Sequence, residues 1–266
     1  MRFLILFVLA MLSLPALAGD YEDGLRFFAS KDYAKAEQAF KKAADQGDAL
    51  AQANLATMYA IGQGVTKDYR QAAFWFRKAA EQGDALAQTS LGLMYYRGDG
   101  VAQDYQQAAS WYRKAAEQGN VEAQFTLGFM YYKGEGVARD FQQAVSWYRK
   151  AAEQGDPSAQ CNLGKMYEKG EGVTKDFQQA VSWCSKAAEQ GNAQAQSNLG
   201  VLYANGDGIS SASSDYVEAL KWFTIAAAGG LEEGKNFRDK IEEALTSSRI
   251  DEAQRRASEW IKAHQK

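Results

Sequence analysis

One histidine, two cysteines and a row of regularly spaced carboxylates are the residues of this 266-residue chain that could carry catalysis or hold a metal. His264 is the single histidine, so no His-based triad, proton shuttle or multi-histidine zinc site can be assembled. Near the carboxyl end of the sequence it reads as a solvent-exposed residue. A serine nucleophile with a lysine three residues on is absent too, since Ser146 and Ser182 are followed at that spacing by Arg149 and Ser185. Asp99, Glu135, Glu171 and Asp207 each stand between two glycines. Calcium gathers roughly 6–8 oxygen ligands, so one carboxylate per loop reads as a solvated edge. The glycine pairs themselves, Gly62 with Gly64 and Gly134 with Gly136 among them, lack the third glycine and the preceding strand of a phosphate cradle. Turn geometry accounts for them. The chain is therefore expected to be no enzyme, and no cofactor or metal is expected.

These residues sit in a strict frame. Gly47, Gly83, Gly119, Gly155 and Gly191 are each 36 residues apart, and Gly230 follows after 39, the extra residues falling in the stretch Ser210 to Ser214. Ala-Gln recurs with the same step from Ala51-Gln52 to Ala195-Gln196. Such a period means stacked supersecondary units, and only 2 prolines leave the helices uninterrupted. Within residues 84–119, Ala87, Leu91 and Tyr95 form the apolar stripe of a first helix. Gly98-Asp99-Gly100 ends it, Asp104 caps the next, and Ala108, Trp111, Tyr112 and Ala115 form a second stripe that Gly119 closes. Neither helix can bury its large residues alone, so neighbouring units must stack. The leucines from Leu55 to Leu199 and the tyrosines from Tyr59 to Tyr203 are predicted to hold the core. Gly92, Gly128, Gly164 and Gly200 would let the second helix approach.

The unit A-Q-x-x-L-G-x-M-Y-x-x-G-x-G-V-x-x-D-[YF]-x-Q-A-x-x-W-[YF]-x-K-A-A-E-Q-G resembles the Sel1-like repeat, a relative of the tetratricopeptide repeat. Five units carry the pattern, 48–83, 84–119, 120–155, 156–191 and 192–230. Residues 19–47 resemble a shorter hairpin of true tetratricopeptide spacing, and 231–266 read as capping helices broken near Thr246 to Arg249. The resemblance implies an all-α fold, a right-handed α-solenoid of stacked antiparallel helix pairs with first helices lining the concave wall. It also implies a protein–protein interaction scaffold or adaptor. Some cysteine-rich secreted relatives have been assigned penicillin-binding or β-lactamase activity, which makes a β-lactamase-like hydrolase the enzymatic alternative; the missing S-x-x-K speaks against it. Cys161 and Cys184 lie on the two helices of one unit. Antiparallel helices bring them level, and an oxidising compartment permits a disulfide. Cys184, however, aligns with the buried aromatic position of Phe76, Tyr112 and Tyr148. A bridge and two free thiols both stand as readings.

Where repeats are so alike, the positions that differ carry specificity. On the first helices they fall at i, i+4, i+7 and i+8, a face distinct from the Leu-Tyr stripe. By resemblance to tetratricopeptide arrays this face lines the groove. The middle units place Leu93, Tyr96, Phe125, Phe129 and Tyr132 there, beside Arg97, Lys133, Lys165, Glu168 and Lys169. Aromatic and basic residues together suit a hot spot for a peptide or an acidic protein segment. Two alternatives stand beside this: the rings pack against neighbouring helices, or they serve as stacking platforms for glycan or peptidoglycan.

Residues 1–18 carry Arg2, an apolar run, Pro15 and then Ala16-Leu17-Ala18, the pattern of a signal peptide cleaved after Ala18. The run is shorter than the ~20 residues of a spanning helix. The chain is thus expected in the periplasm or secreted, with no transmembrane helix after cleavage. Of 30 basic residues, loss of Arg2 leaves 29 against 33 acidic, a net of −4, which gives no reason to expect nucleic acid as partner. A monomer is expected.

Overall fold

The computed structural model describes residues 19–207 and 215–264. The segment read as a signal peptide and the serine-rich stretch at 210–214 lie outside the described residues. The helices are α1 (Asp20–Ala29), α2 (Tyr33–Asp45), α3 (Ala49–Ile61), α4 (Tyr69–Glu81), α5 (Ala85–Arg97), α6 (Tyr105–Glu117), α7 (Val121–Lys133), α8 (Phe141–Glu153), α9 (Pro157–Lys169), α10 (Phe177–Glu189), α11 (Ala193–Asn205), α12 (Tyr216–Ala228), α13 (Glu232–Glu242) and α14 (Ser247–His264). No strand occurs among the described residues. The fold class is the expected all-α solenoid of stacked antiparallel helix pairs. Two compact units divide the chain. The first runs through Ala87 and includes Asp99–Val101, and the second takes in Gln88–Gly98 and everything from Ala102 onward.

In the first unit α1 packs on α2, α2 on α3, and α3 on α4. Local chemistry sets the helix limits. The Asp48 side chain accepts from the Ala51 amide at the start of α3, and Asp68 accepts from the amides of Arg70 and Gln71 at the start of α4. Each such cap contributes about 1 kcal/mol. Gln52, buried in α3, donates to the Ala44 carbonyl at 3.1 Å and accepts from Gln82 at 2.8 Å. The Ala-Gln and Glu-Gln-Gly signatures are thus two halves of one hydrogen-bonded link, buried at Gln52 and exposed at Gln82.

The second unit repeats this link. Gln124 and Gln160 donate to the carbonyls of Ala116 and Ala152 and accept from Gln154 and Gln190. Here α7 packs on α8, α9 on α10 and α11 on α12, with α6 on α7, α8 on α9 and α10 on α11 joining the pairs. Leu91, Leu127, Leu163 and Leu199 are fully buried, as expected. Gly128 faces the Tyr148 ring so closely that an added Cβ would lie 2.8 Å from it. Gly136, the second glycine of its loop, has φ +70°, and its Cβ would stand 2.0 Å from the Tyr105 carbonyl oxygen at the start of the preceding second helix. The loop therefore clasps the backbone of the repeat before it.

One expectation is corrected. The tyrosine column is half-buried and lies at the junctions between repeats: Arg113 of α6 donates to the Tyr131 hydroxyl at 2.5 Å and Arg149 of α8 to that of Tyr167 at 2.8 Å. At the carboxyl end, α14 packs on α12. Trp260 of α14 donates to Glu189 at 2.8 Å and stacks on His264 with ring centres 4.0 Å apart. His264 is exposed, yet held against Trp260.

Candidate functional site

A pocket of about 230 Å³ lies within the second unit, lined by Phe129, Tyr132, Lys133, Tyr148, Asn162, Lys165, Met166, Lys169 and Glu171. Four of these, Asn162, Lys165, Met166 and Lys169, recur along α9 at i, i+3, i+4 and i+7 and so share one helix face. Phe129, Tyr132 and Lys133 come from the last turn of α7. Tyr148 of α8 lies between them, and Glu171 comes from the loop after α9. Gly128 is what brings the Tyr148 ring this close to α7, since any side chain there would collide with it.

The pocket is apolar in its depth and cationic at its edge. Tyr148 is buried, which pushes its hydroxyl well above the usual tyrosine range, so it stays neutral. The Tyr132 ring lies 5.4 Å from that of Phe141, and the Lys133 ammonium stands 5.7 Å from the Phe129 ring centre and 5.9 Å from that of Tyr132. Among the described residues no carboxylate lies within ion-pair distance of Lys133, Lys165 or Lys169. Three positive charges thus meet one lining carboxylate, Glu171. This arrangement can hold an anionic group beside an apolar one.

Of the ten groove candidates, Phe129, Tyr132, Lys133, Lys165 and Lys169 line the pocket. Leu93, Tyr96, Arg97, Phe125 and Glu168 do not. Phe125 is turned onto Tyr148, with ring centres 5.7 Å apart. Leu93 and Tyr96 pack against the cluster around Tyr112 and Leu127. The Tyr96 hydroxyl donates to Glu135 at 2.6 Å, and burial, with that bond, raises it to about 12. The first column of the variable face also turns inward at three repeats: Thr89, Cys161 and Ser197 are buried, and the next first helix covers Cys161, where Asn198 donates to its sulfur at 3.3 Å. Tyr148, Asn162, Met166 and Glu171 are lining residues outside the first-helix face that was singled out from the sequence. Their i, i+3, i+4 spacing around Lys165 was the available signal for two of them.

Both cysteines are free thiols and buried. Burial pushes Cys161 up to about 11 and Cys184 higher still, so neither is a thiolate at neutral pH.

The family model for the Sel1 repeat matches residues 16–48, 49–84, 85–120, 121–156, 157–192 and 193–231. The first of these covers the segment with tetratricopeptide-like spacing. The crystal structure of a Sel1 repeat protein from Oxalobacter formigenes is 37% identical over 78% of this chain and 84% of that one, with a TM-score of 0.73. A protective antigen present in uropathogenic Escherichia coli strains, displaying an SLR fold, is 33% identical over 91% of this chain and 68% of that one, with a TM-score of 0.39. No curated protein matches the chain.

Proposed function

Because the chain belongs to the Sel1 repeat family, whose fold typically serves as a scaffold for protein–protein interaction, we propose that it is an exported, non-catalytic adaptor. It holds a segment of another protein, of net negative charge, against the first helices α7 and α9. The observation that carries this reading is the pocket in which Phe129 and Tyr132 meet three lysines that have no ion-pair partner among the described residues. Anchors of this kind, a few rings and cations in one recess, dominate the energetics of protein interfaces. Export rests on residues 1–18 and their Ala16-Leu17-Ala18 ending. No helix among the described residues is long and apolar enough to cross a membrane. Glycan stacking has less support, since the Tyr96 ring is edge-packed on Tyr105 at 5.0 Å and its hydroxyl is bound to Glu135.

A photocrosslinking amino acid placed at Lys169, on the pocket rim, tests the proposal in intact cells of the native host. The comparison position is Glu153, exposed at the end of α8 and outside the pocket lining. A discrete protein adduct from position 169 that is missing from position 153 is expected. The same adducts from both positions, or none from 169, would refute it.

A further inference from the structure

Two successive junctions of the second unit, alike in sequence, differ in two respects that bear on what the pocket takes. Carried back by one 36-residue step, Tyr132 corresponds to Tyr96, Glu171 to Glu135 and Lys165 to Phe129. At the earlier junction the Tyr96 hydroxyl closes onto Glu135 at 2.6 Å. At the later one Tyr132 and Glu171 both line the pocket with no hydrogen bond between them, and Lys165 stands where the earlier junction has the Phe129 ring.

We infer that the partner supplies the missing ring: the pocket takes one aromatic side chain whose neighbours in sequence are carboxylates. The inference rests on the adaptor reading above and names the anchor within it. Size fits one side chain, since about 230 Å³ falls below the range of a small-molecule site, roughly 300–1,000 Å³. The wall suits a ring, because Phe129, Tyr132 and Tyr148 offer edges and faces and Met166 a thioether. The rim suits carboxylates, because Lys165 and Lys169 stand one helical turn apart with no ion-pair partner among the described residues, and Lys165 is already half-buried. A ring entering beside it strips more water from that ammonium and makes an adjacent carboxylate the compensating contact.

The test uses fluorescein-labelled heptapeptides and anisotropy with the full-length mature protein. The probe is Gly-Ser-Asp-Phe-Glu-Ser-Gly, and its controls replace the acids by Asn and Gln, or Phe by Ala. The probe is expected to bind at least about tenfold tighter than either control, and to weaken severalfold between about 20 mM and about 500 mM salt. Lys165→Phe fills the pocket from within, so it should abolish probe binding with the melting temperature unchanged or raised. Lys165→Glu, which keeps a flexible polar side chain, should lose the acidic probe and gain a Lys-Phe-Lys version. Equal binding of the neutral control, wild-type binding by Lys165→Phe, or no saturable binding of the probe would each overturn the inference. A position-169 crosslink that persists in any of those cases would leave the adaptor reading standing and condemn only the anchor.

Discussion

Alanine at Gly136 tests how the repeats are held together. The site combines a left-handed backbone, φ +70°, with a Cβ position 2.0 Å from the Tyr105 carbonyl oxygen and 2.3 Å from its carbon. The backbone alone costs a residue with Cβ about 1–2 kcal/mol, offset by about 0.4–1 kcal/mol from the stiffer unfolded chain. The overlap is with backbone at the start of α6, which cannot swing aside as a side-chain tip would, and forcing it apart costs about 1–3 kcal/mol more. Two other glycines separate the terms. Gly155, at φ +95°, has nothing within 4 Å of its added Cβ, while Gly134, at φ +78°, meets Arg139 at a looser distance, its Cβ at 3.2 Å and its backbone nitrogen at 3.4 Å. Urea unfolding followed by circular dichroism should therefore rank the losses Gly136→Ala, Gly134→Ala, Gly155→Ala, the first exceeding the last by about 1–3 kcal/mol. In a linear array stability is a sum of unit and interface terms, so Gly136→Ala should also broaden the transition and lower its slope. Losses for Gly136→Ala and Gly155→Ala within about 0.5 kcal/mol of each other would mean that the loop does not clasp the preceding repeat.

Gln160→Leu should cost about 1–3 kcal/mol in the same titration, because it removes the donor to Ala152 and leaves the Gln190 amide facing an apolar group; a neutral result would show that the glutamine link carries no stability. Burial raises the Cys161 thiol from an ordinary 9.0 to about 11, so the folded chain holds this proton more tightly than the unfolded one. Its contribution is complete below pH 9 and is lost as pH rises to about 11, and Cys161→Ala should flatten that part of the curve of melting temperature against pH. Intact mass after alkylation without reductant should show no label on the native protein and two labels in urea; a pair that stays unlabelled in urea would be a bridge. Protein purified from the native host's envelope fraction should begin at Gly19, and an intact mass retaining residues 1–18 would rule out cleavage after Ala18.

Much of the fold was legible because each helix limit is written in local chemistry. Asp104 caps α6 through the amides of Gln106 and Gln107, and Gly134 ends α7 in the left-handed region, both as their types suggest. Gly128 meets Tyr148 as its small size implied. What periodicity did not disclose was which neighbour each face meets, since every repeat presents the same face to a different partner. Cys161 and Tyr131 show the two directions of this blindness. The first is covered by Asn198 from the following repeat, and the second is reached by Arg113 from the preceding one. The pocket falls in the same gap: Phe129 and Lys165 were visible on the variable face of the first helices, whereas Tyr148 comes from a second helix and Met166 from the methionine column of the first helices, both read as packing positions.

The distribution of docking contacts explains why Lys165 is free to differ. Gly136 grips the preceding backbone from the loop beyond α7, and the Gln124–Gln154 link sits near the start of α7 and just past the end of α8. Arg149 meets Tyr167 in the carboxyl-terminal half of α9, across the junction from α8. None of these contacts includes position 129 or 165. A ring can therefore be exchanged for a lysine there without breaking a hydrogen bond between repeats, and the local loss is confined to the area the ring would have buried, about 25 cal/mol per Å². Such a loss is tolerable in an array whose interfaces are made elsewhere, and it leaves an open recess with a cation at its edge. On the proposed adaptor reading, specificity is placed where stacking does not depend on it, which is why Lys165→Phe is expected to spare stability while removing the anchor.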